Sequence, residues 1–127
     1  MLGYCSLGTN NLEAAASFYE PIARILGHGR VMESDRAVMW GTGGQGAMFC
    51  VIKPLDEKEA TVGNGSMFGF AADSDAKVDE IYAYALANGG SDEGPPGARS
   101  EQFYGAYFRD PAGNKLVAFH MRGDPPQ

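Results

Sequence analysis

The chain is poor in the residues from which catalytic and metal centres are usually built. Its 127 residues include two cysteines, two histidines and one tryptophan. Cys5 and Cys50 form no CxxC pair, so neither a zinc-cluster spacing nor a disulfide scaffold is written into the sequence. His28 and His120 lie far apart and belong to no HExxH or Cys/His cluster. No GxSxG elbow supplies a nucleophile, and no carboxylate pair stands out for acid–base work, so no catalytic residue is assigned. Basic residues are also scarce. Ten Lys and Arg against sixteen Asp and Glu give a net charge of -6, which argues against a nucleic-acid partner held through phosphates. No apolar run approaches the roughly 20 residues of a membrane-spanning helix. The opening MLGYCSLGTNN has neither the basic nor the long apolar segment of a secretory signal, so the expected location is the cytoplasm, with both thiols reduced.

What is present is a globular composition, 44% hydrophobic and 20% charged, in a length that suits one domain over residues 1–127. Glycine is the excess: 18 residues, about twice its usual share of roughly 7%. The chain also repeats itself. Residues 3–29 read strand, cap, helix, glycine stop, and residues 66–90 read the same way, with Tyr4 falling on Met67 and Gly27 on Gly90. An offset of half the chain is too long for a solenoid and indicates two copies of one supersecondary unit.

The first helix is expected over 11–26, with Asn10 and Glu13 as a capping box and an apolar face including Phe18, Tyr19 and Ile22. The second is expected over 75–88, capped by Ser74 or Asp73 and ended by Gly89-Gly90. Strands are expected at 3–9, 28–34, 36–41 and 47–53 in one half, and at 66–72, 103–110 and 114–122 in the other. The segment 91–100 contains GPPG and reads as a short extended piece followed by a loop. In DPAGN, Pro111 presets a turn, Gly113 supplies its positive φ, and Asp110 braces it. Unit one then covers about 1–53, a polar linker 54–65, and unit two 66–122, each β-α-β-β-β. The stretch GTGGQG at 41–46 matches GxGxxG, but a dinucleotide site needs that motif to open a helix, and AMFCVIKP follows as a strand. A hairpin turn is the expectation there.

Aromatic and sulfur side chains crowd these strands on both faces. One face must lie beneath a helix; an apolar second face calls for a ligand or an interface.

A duplicated β-α-β-β-β unit in this length resembles the vicinal-oxygen-chelate superfamily of glyoxalases, extradiol dioxygenases and bleomycin-resistance proteins. The matching segments are LGTNNLEAAASFYEPIARILG, GNGSMFGFAADSDAKVDEIYAYALANGG and GPPGARSEQFYGAYFRDPAGNKLVAFH. The resemblance implies an α+β fold whose two units form a cup-shaped, eight-stranded half-barrel sheet with helices outside. It also implies a divalent metal inside, held by histidine and glutamate. The family's ligand positions fall on Tyr4, Met67 and Val117, with a further one in 48–52, and none carries an imidazole or carboxylate. The expectation is therefore no metal and no cofactor, in a protein that binds a small apolar or aromatic molecule. Tyr4, Ser6, Trp40, Met67 and Tyr104 are candidates to line its site. Tyr107, Val117 and Phe119 join them, with Arg99 as a possible anion contact. The alternatives are a metal-dependent lyase, isomerase or dioxygenase, in which His120 converges with Glu33 or Glu101, and a non-catalytic interaction protein. A two-fold homodimer is expected in either case.

Overall fold

Asn11 starts the first helix. In a computed structural model that describes residues 1–42 and 46–123, its side chain accepts a hydrogen bond from the Ala14 amide at 3.0 Å. The cap expected at Asn10 thus moves one residue on. Asn10 instead turns to the far end of its unit, accepting from the Ala60 amide at 2.6 Å. Helix α1 (Leu12–Ile25) follows β1 (Tyr4–Gly8) and precedes β2 (Gly29–Glu33), β3 (Ala37–Gly41) and β4 (Met48–Ile52). Pro21 sits within α1 without ending it. Gly43, Gly44 and Gln45, the middle of the expected hairpin turn, lie outside the described residues, and the strand that follows opens no helix.

The second half repeats the pattern as β5 (Phe68–Ala71), α2 (Asp75–Ala87), β6 (Ser91–Ala98), β7 (Phe103–Arg109) and β8 (Lys115–Met121). Ser74 caps α2 by accepting from the Lys77 amide at 3.2 Å. The sheet orders are β1-β4-β3-β2 and β5-β8-β7-β6, so each copy has one parallel pair and an antiparallel meander. The fold is α+β, built from two β-α-β-β-β units. The two compact units meet in sequence between Gly63 and Asn64, inside the expected linker.

In the first unit α1 buries Phe18, Tyr19 and Ile22 against the sheet, where Tyr19 packs on Phe49 with ring centroids 4.7 Å apart. In the second, α2 buries Val78, Ile81 and Ala85 completely, and Phe108 and Leu116 are equally inaccessible. Gly90 is fixed by this packing, because a Cβ there would stand 2.7 Å from the Arg109 carbonyl oxygen and 2.8 Å from that of Ala85. The DPAGN turn forms as expected. The buried Asp110 carboxylate accepts from the Ala112 and Asn114 amides and from Asn114 Nδ2, at 3.0, 2.9 and 2.9 Å.

The extended piece expected within 91–100 is a full strand, longer than the sequence suggests. The segment 91–98 pairs antiparallel with β7 through two register shifts, at Asp92/Gly94 and Gly94/Gly97. Pro95 and Pro96 fall within the Gly94/Gly97 register shift of this edge strand, where neither has a ladder partner to serve.

Candidate functional site

Strand alternation assigns every side chain to the helix face or to the opposite face of its sheet. In the first unit Phe49 marks the helix face through its contact with Tyr19. Cys5, directly opposite Phe49, shares that face, so Tyr4 and Ser6 point the other way. Tyr4 is 61% exposed. Cys50 pairs in register with Ser6 and Met39 and lies on the face away from the helix. Cys5 and Cys50 are therefore neighbours on adjacent strands but on opposite faces, which no disulfide can span. Both are free thiols, and burial pushes the Cys50 thiol pKa up, which keeps it protonated and unreactive.

Trp40 is not a pocket residue. It is 3% exposed and lies on the helix face, where its indole Nε1 donates to Glu20 Oε2 of α1 at 2.6 Å. Arg30 donates to the same carboxylate at 2.9 Å. Burial works to raise the pKa of Glu20, but the Trp40 and Arg30 hydrogen bonds outweigh it and hold the carboxyl below its ordinary value.

Tyr104 is the second correction. It stands opposite His120 in the β7–β8 register, and its hydroxyl donates to Asp79 of α2 at 2.6 Å. That hydrogen bond raises the phenol's pKa. The side of the sheet it occupies is the helix face. His120 is there as well, with Nδ1 2.9 Å from Asp75 Oδ1, and Arg122 binds the same carboxylate while lying over the Tyr104 ring, 4.7 Å from its centroid. His120 is thus committed to the start of α2, and Glu33 pairs with Arg30.

Arg122 first, then His120, hold the Asp75 carboxyl below its ordinary range. A depressed folded-state pKa gives stability that is present above the unfolded carboxylate value, near 3.9, and is lost as pH falls through the lower folded value. The thermal midpoint should therefore fall as the pH drops below about 4. Asp75→Asn should flatten that drop when melts are followed by circular dichroism; an unchanged slope would remove Asp75 from the acid response.

The remaining candidates of the second unit gather on the face opposite α2. Val117 pairs with both Gly69 and Tyr107. A Cβ at Gly69 would lie 3.3 Å from Val117 Cγ1 and 3.1 Å from Phe119 Cε1, so all three share one surface. Phe103, absent from the expected set, stacks on Phe119 with centroids 5.3 Å apart and planes 8° apart. Its spacing of four from Tyr107 is the signal that placed it on this face. Met67 directly precedes β5 and is 45% exposed. Arg99 reaches the same surface, with its guanidinium carbon 5.5 Å from the Tyr107 ring centroid.

These residues do not fit the metal that the resemblance implies. A phenol, a thioether and an isopropyl group offer no hard or borderline donor set. Among the described residues, no group of three or more His, Cys, Asp and Glu side chains is placed to hold a metal ion. A separate open cleft of about 710 Å³ lies in the first unit beside the start of α1, edged by Asn11, Glu13, Arg30, Glu33, Asp35 and Lys53. Of the residues singled out in the sequence it holds Glu33, from the metal-dependent alternative, and none of the expected ligand-binding set.

Residues 1–118 match the family described as Glyoxalase/Bleomycin resistance protein/Dioxygenase superfamily. A glyoxalase/bleomycin resistance protein from Albidiferax ferrireducens T118 is similar at 36% identity and a TM-score of 0.87, over 96% of this chain and 99% of that one. A lactoylglutathione lyase from Agrobacterium tumefaciens is 26% identical with a TM-score of 0.67, over 94% of this chain and 92% of that one. A glyoxalase/bleomycin resistance protein/dioxygenase family enzyme from Burkholderia phytofirmans PsJN shares the fold at 19% identity and a TM-score of 0.74, over 94% of this chain and 98% of that one. No curated protein matches at a significant level.

Proposed function

The chain belongs to the glyoxalase/bleomycin resistance protein/dioxygenase superfamily, and on that premise we propose that it binds a small apolar or aromatic molecule without a metal. The observation that carries this reading is the chemistry of the face opposite α2. Phe119, Phe103 and Tyr107 form an apolar surface beside Gly69, over the buried Val117, the position at which the resemblance implies a metal-binding glutamate. Such a surface cannot offset the desolvation of a divalent ion, but it suits a planar or aliphatic ligand with a few polar anchors. Tyr4 and Ser6 are exposed on the face away from the helix in the first unit.

We further propose that it is a cytoplasmic homodimer. Among the described residues no helix is long and apolar enough to cross a membrane. Edge strand β2 is exposed along its whole length, with Val31 39% and Met32 43% accessible, and a bare strand edge favours pairing with another chain.

A second reading, metal-dependent lyase activity, is favoured by the similarity to the Agrobacterium lyase. One preparation, made without chelator or affinity tag, separates the two. Under the binding reading, a small-molecule thermal-shift screen finds aromatic compounds that raise the melting midpoint, by about 2.7 kcal/mol of stability at 100 times Kd. EDTA leaves the midpoint unchanged, and light scattering gives twice 13.5 kDa. Stoichiometric zinc, nickel, manganese or iron held by protein side chains would overturn the metal-free reading in favour of the lyase.

A further inference from the structure

Arg99 occupies an unusual seat. Its Nη1 donates to the Gly97 carbonyl at 2.9 Å and its Nη2 to the Pro95 carbonyl at 2.8 Å, so the guanidinium lies back along the edge strand β6. Two glycines make room for it. A Cβ at Gly94 would stand 3.2 Å from Nη2, and one at Gly97 would stand 3.1 Å from Nη1. Gly94 also has a φ of 152°, which side-chain-bearing residues rarely adopt. The guanidinium is thus fixed by backbone on one side and by the Tyr107 ring on the other.

A second cation shares that ring. Lys115 Nζ lies 5.8 Å from the Tyr107 centroid. Neither Arg99 nor Lys115 makes an ion pair within 4.0 Å among the described residues, whereas nearby Arg109 is bound to Glu93. Of the five N–H donors of a guanidinium, Arg99 spends two on carbonyls and keeps three. In a chain with six more acids than bases, two cations without a contact ion pair therefore lie against one phenol ring, Lys115 also within electrostatic reach of Glu93. Apolar surface begins beside them: Phe119 lies on the same face, two residues or roughly 7 Å beyond the buried Val117 that stands directly opposite Tyr107.

From this juxtaposition we propose that the ligand is a small aromatic carboxylate, its carboxylate held by Arg99 and Lys115 at Tyr107 and its ring laid on Phe119. The inference rests on the binding reading above and names the ligand class of that site. The backbone hydrogen bonds of Arg99 set the fork before the ligand arrives, so little ordering is left to oppose binding. Lysine at position 99 could not reproduce two directed carbonyl contacts and still offer a planar donor edge.

Isothermal titration of the full chain with 1-naphthoate, and separately with neutral 1-naphthalenemethanol, tests both levels. The acid is expected to bind at least about tenfold more tightly than the alcohol, with an advantage that shrinks as salt rises. Arg99→Gln should remove about tenfold from the acid and leave the alcohol within about twofold. Lys115→Met should act in the same direction, and Arg99→Lys should restore only part of the loss. Equal affinity for acid and alcohol, unmoved by Arg99→Gln, overturns the anion inference while the apolar binding reading stands. Failure of both compounds to bind at millimolar concentration overturns the two together.

Discussion

Trp40→Ala is expected to lower the stability of the protein by about 3–5 kcal/mol and to leave the affinity for 1-naphthoate within about twofold of the parent. The indole is 3% exposed, lies nearly parallel to Phe49 with centroids 6.1 Å apart, and packs on Tyr19 at 6.3 Å. Truncation leaves a cavity beneath α1 and takes a hydrogen-bond donor from the half-buried Glu20 carboxylate. Domain stabilities run to about 5–15 kcal/mol, so a loss of this size removes a large fraction of the margin and shifts the thermal midpoint by roughly 10 °C or more. Circular dichroism melts read the first effect and titration calorimetry at low temperature reads the second. Trp40→Phe keeps part of the packing and supplies a folded variant for the binding measurement. A tenfold loss of affinity with an unchanged melt would return Trp40 to the binding site.

That contrast shows where sequence reading carried and where it stopped. The duplication was legible because each copy repeats a strand, an oxygen-bearing cap, an amphipathic helix and a glycine stop, and all of these are local signals. The two sheets repeat one strand order accordingly. The face of Trp40 was not legible. AVMWG is apolar at every position, so alternation has no contrast to work with, and the deciding partner is a carboxylate 20 residues earlier on another element. Tyr104 differs, because parity alone separates it from Tyr107. Residues three apart on one strand face opposite ways, so the two tyrosines could not share a surface. The β6 strand was concealed by GPPG, which reads as a breaker unless the strand is known to be an edge. The value of Arg99 was half visible. A lone arginine suggests an anion contact, but the carbonyls that aim it and the ring beneath it come together only through the β6–β7 pairing and its two register shifts.

Phe119→Ala should weaken 1-naphthoate binding by tenfold to a hundredfold while costing about 2 kcal/mol of stability. Phe119 is only half-buried, so its truncation costs less than that of a fully enclosed ring such as Phe108. Its contribution to binding is greater for the same reason: the accessible part of the ring is the part a ligand covers. Gly69 carries no side chain above it, and Phe103 stacks against it at 5.3 Å, holding the ring in one orientation before a ligand arrives. Phe119→Leu separates the two sources of affinity. Leucine retains most of the apolar area but neither the flat ring nor its stack with Phe103, so it should recover most of the stability and only part of the affinity. Because the carboxylate contacts at Arg99 and Lys115 survive in both variants, the remaining binding should become more dependent on salt than in the parent. Affinity unchanged in Phe119→Ala, with the expected stability loss present, would place the ligand away from this face altogether.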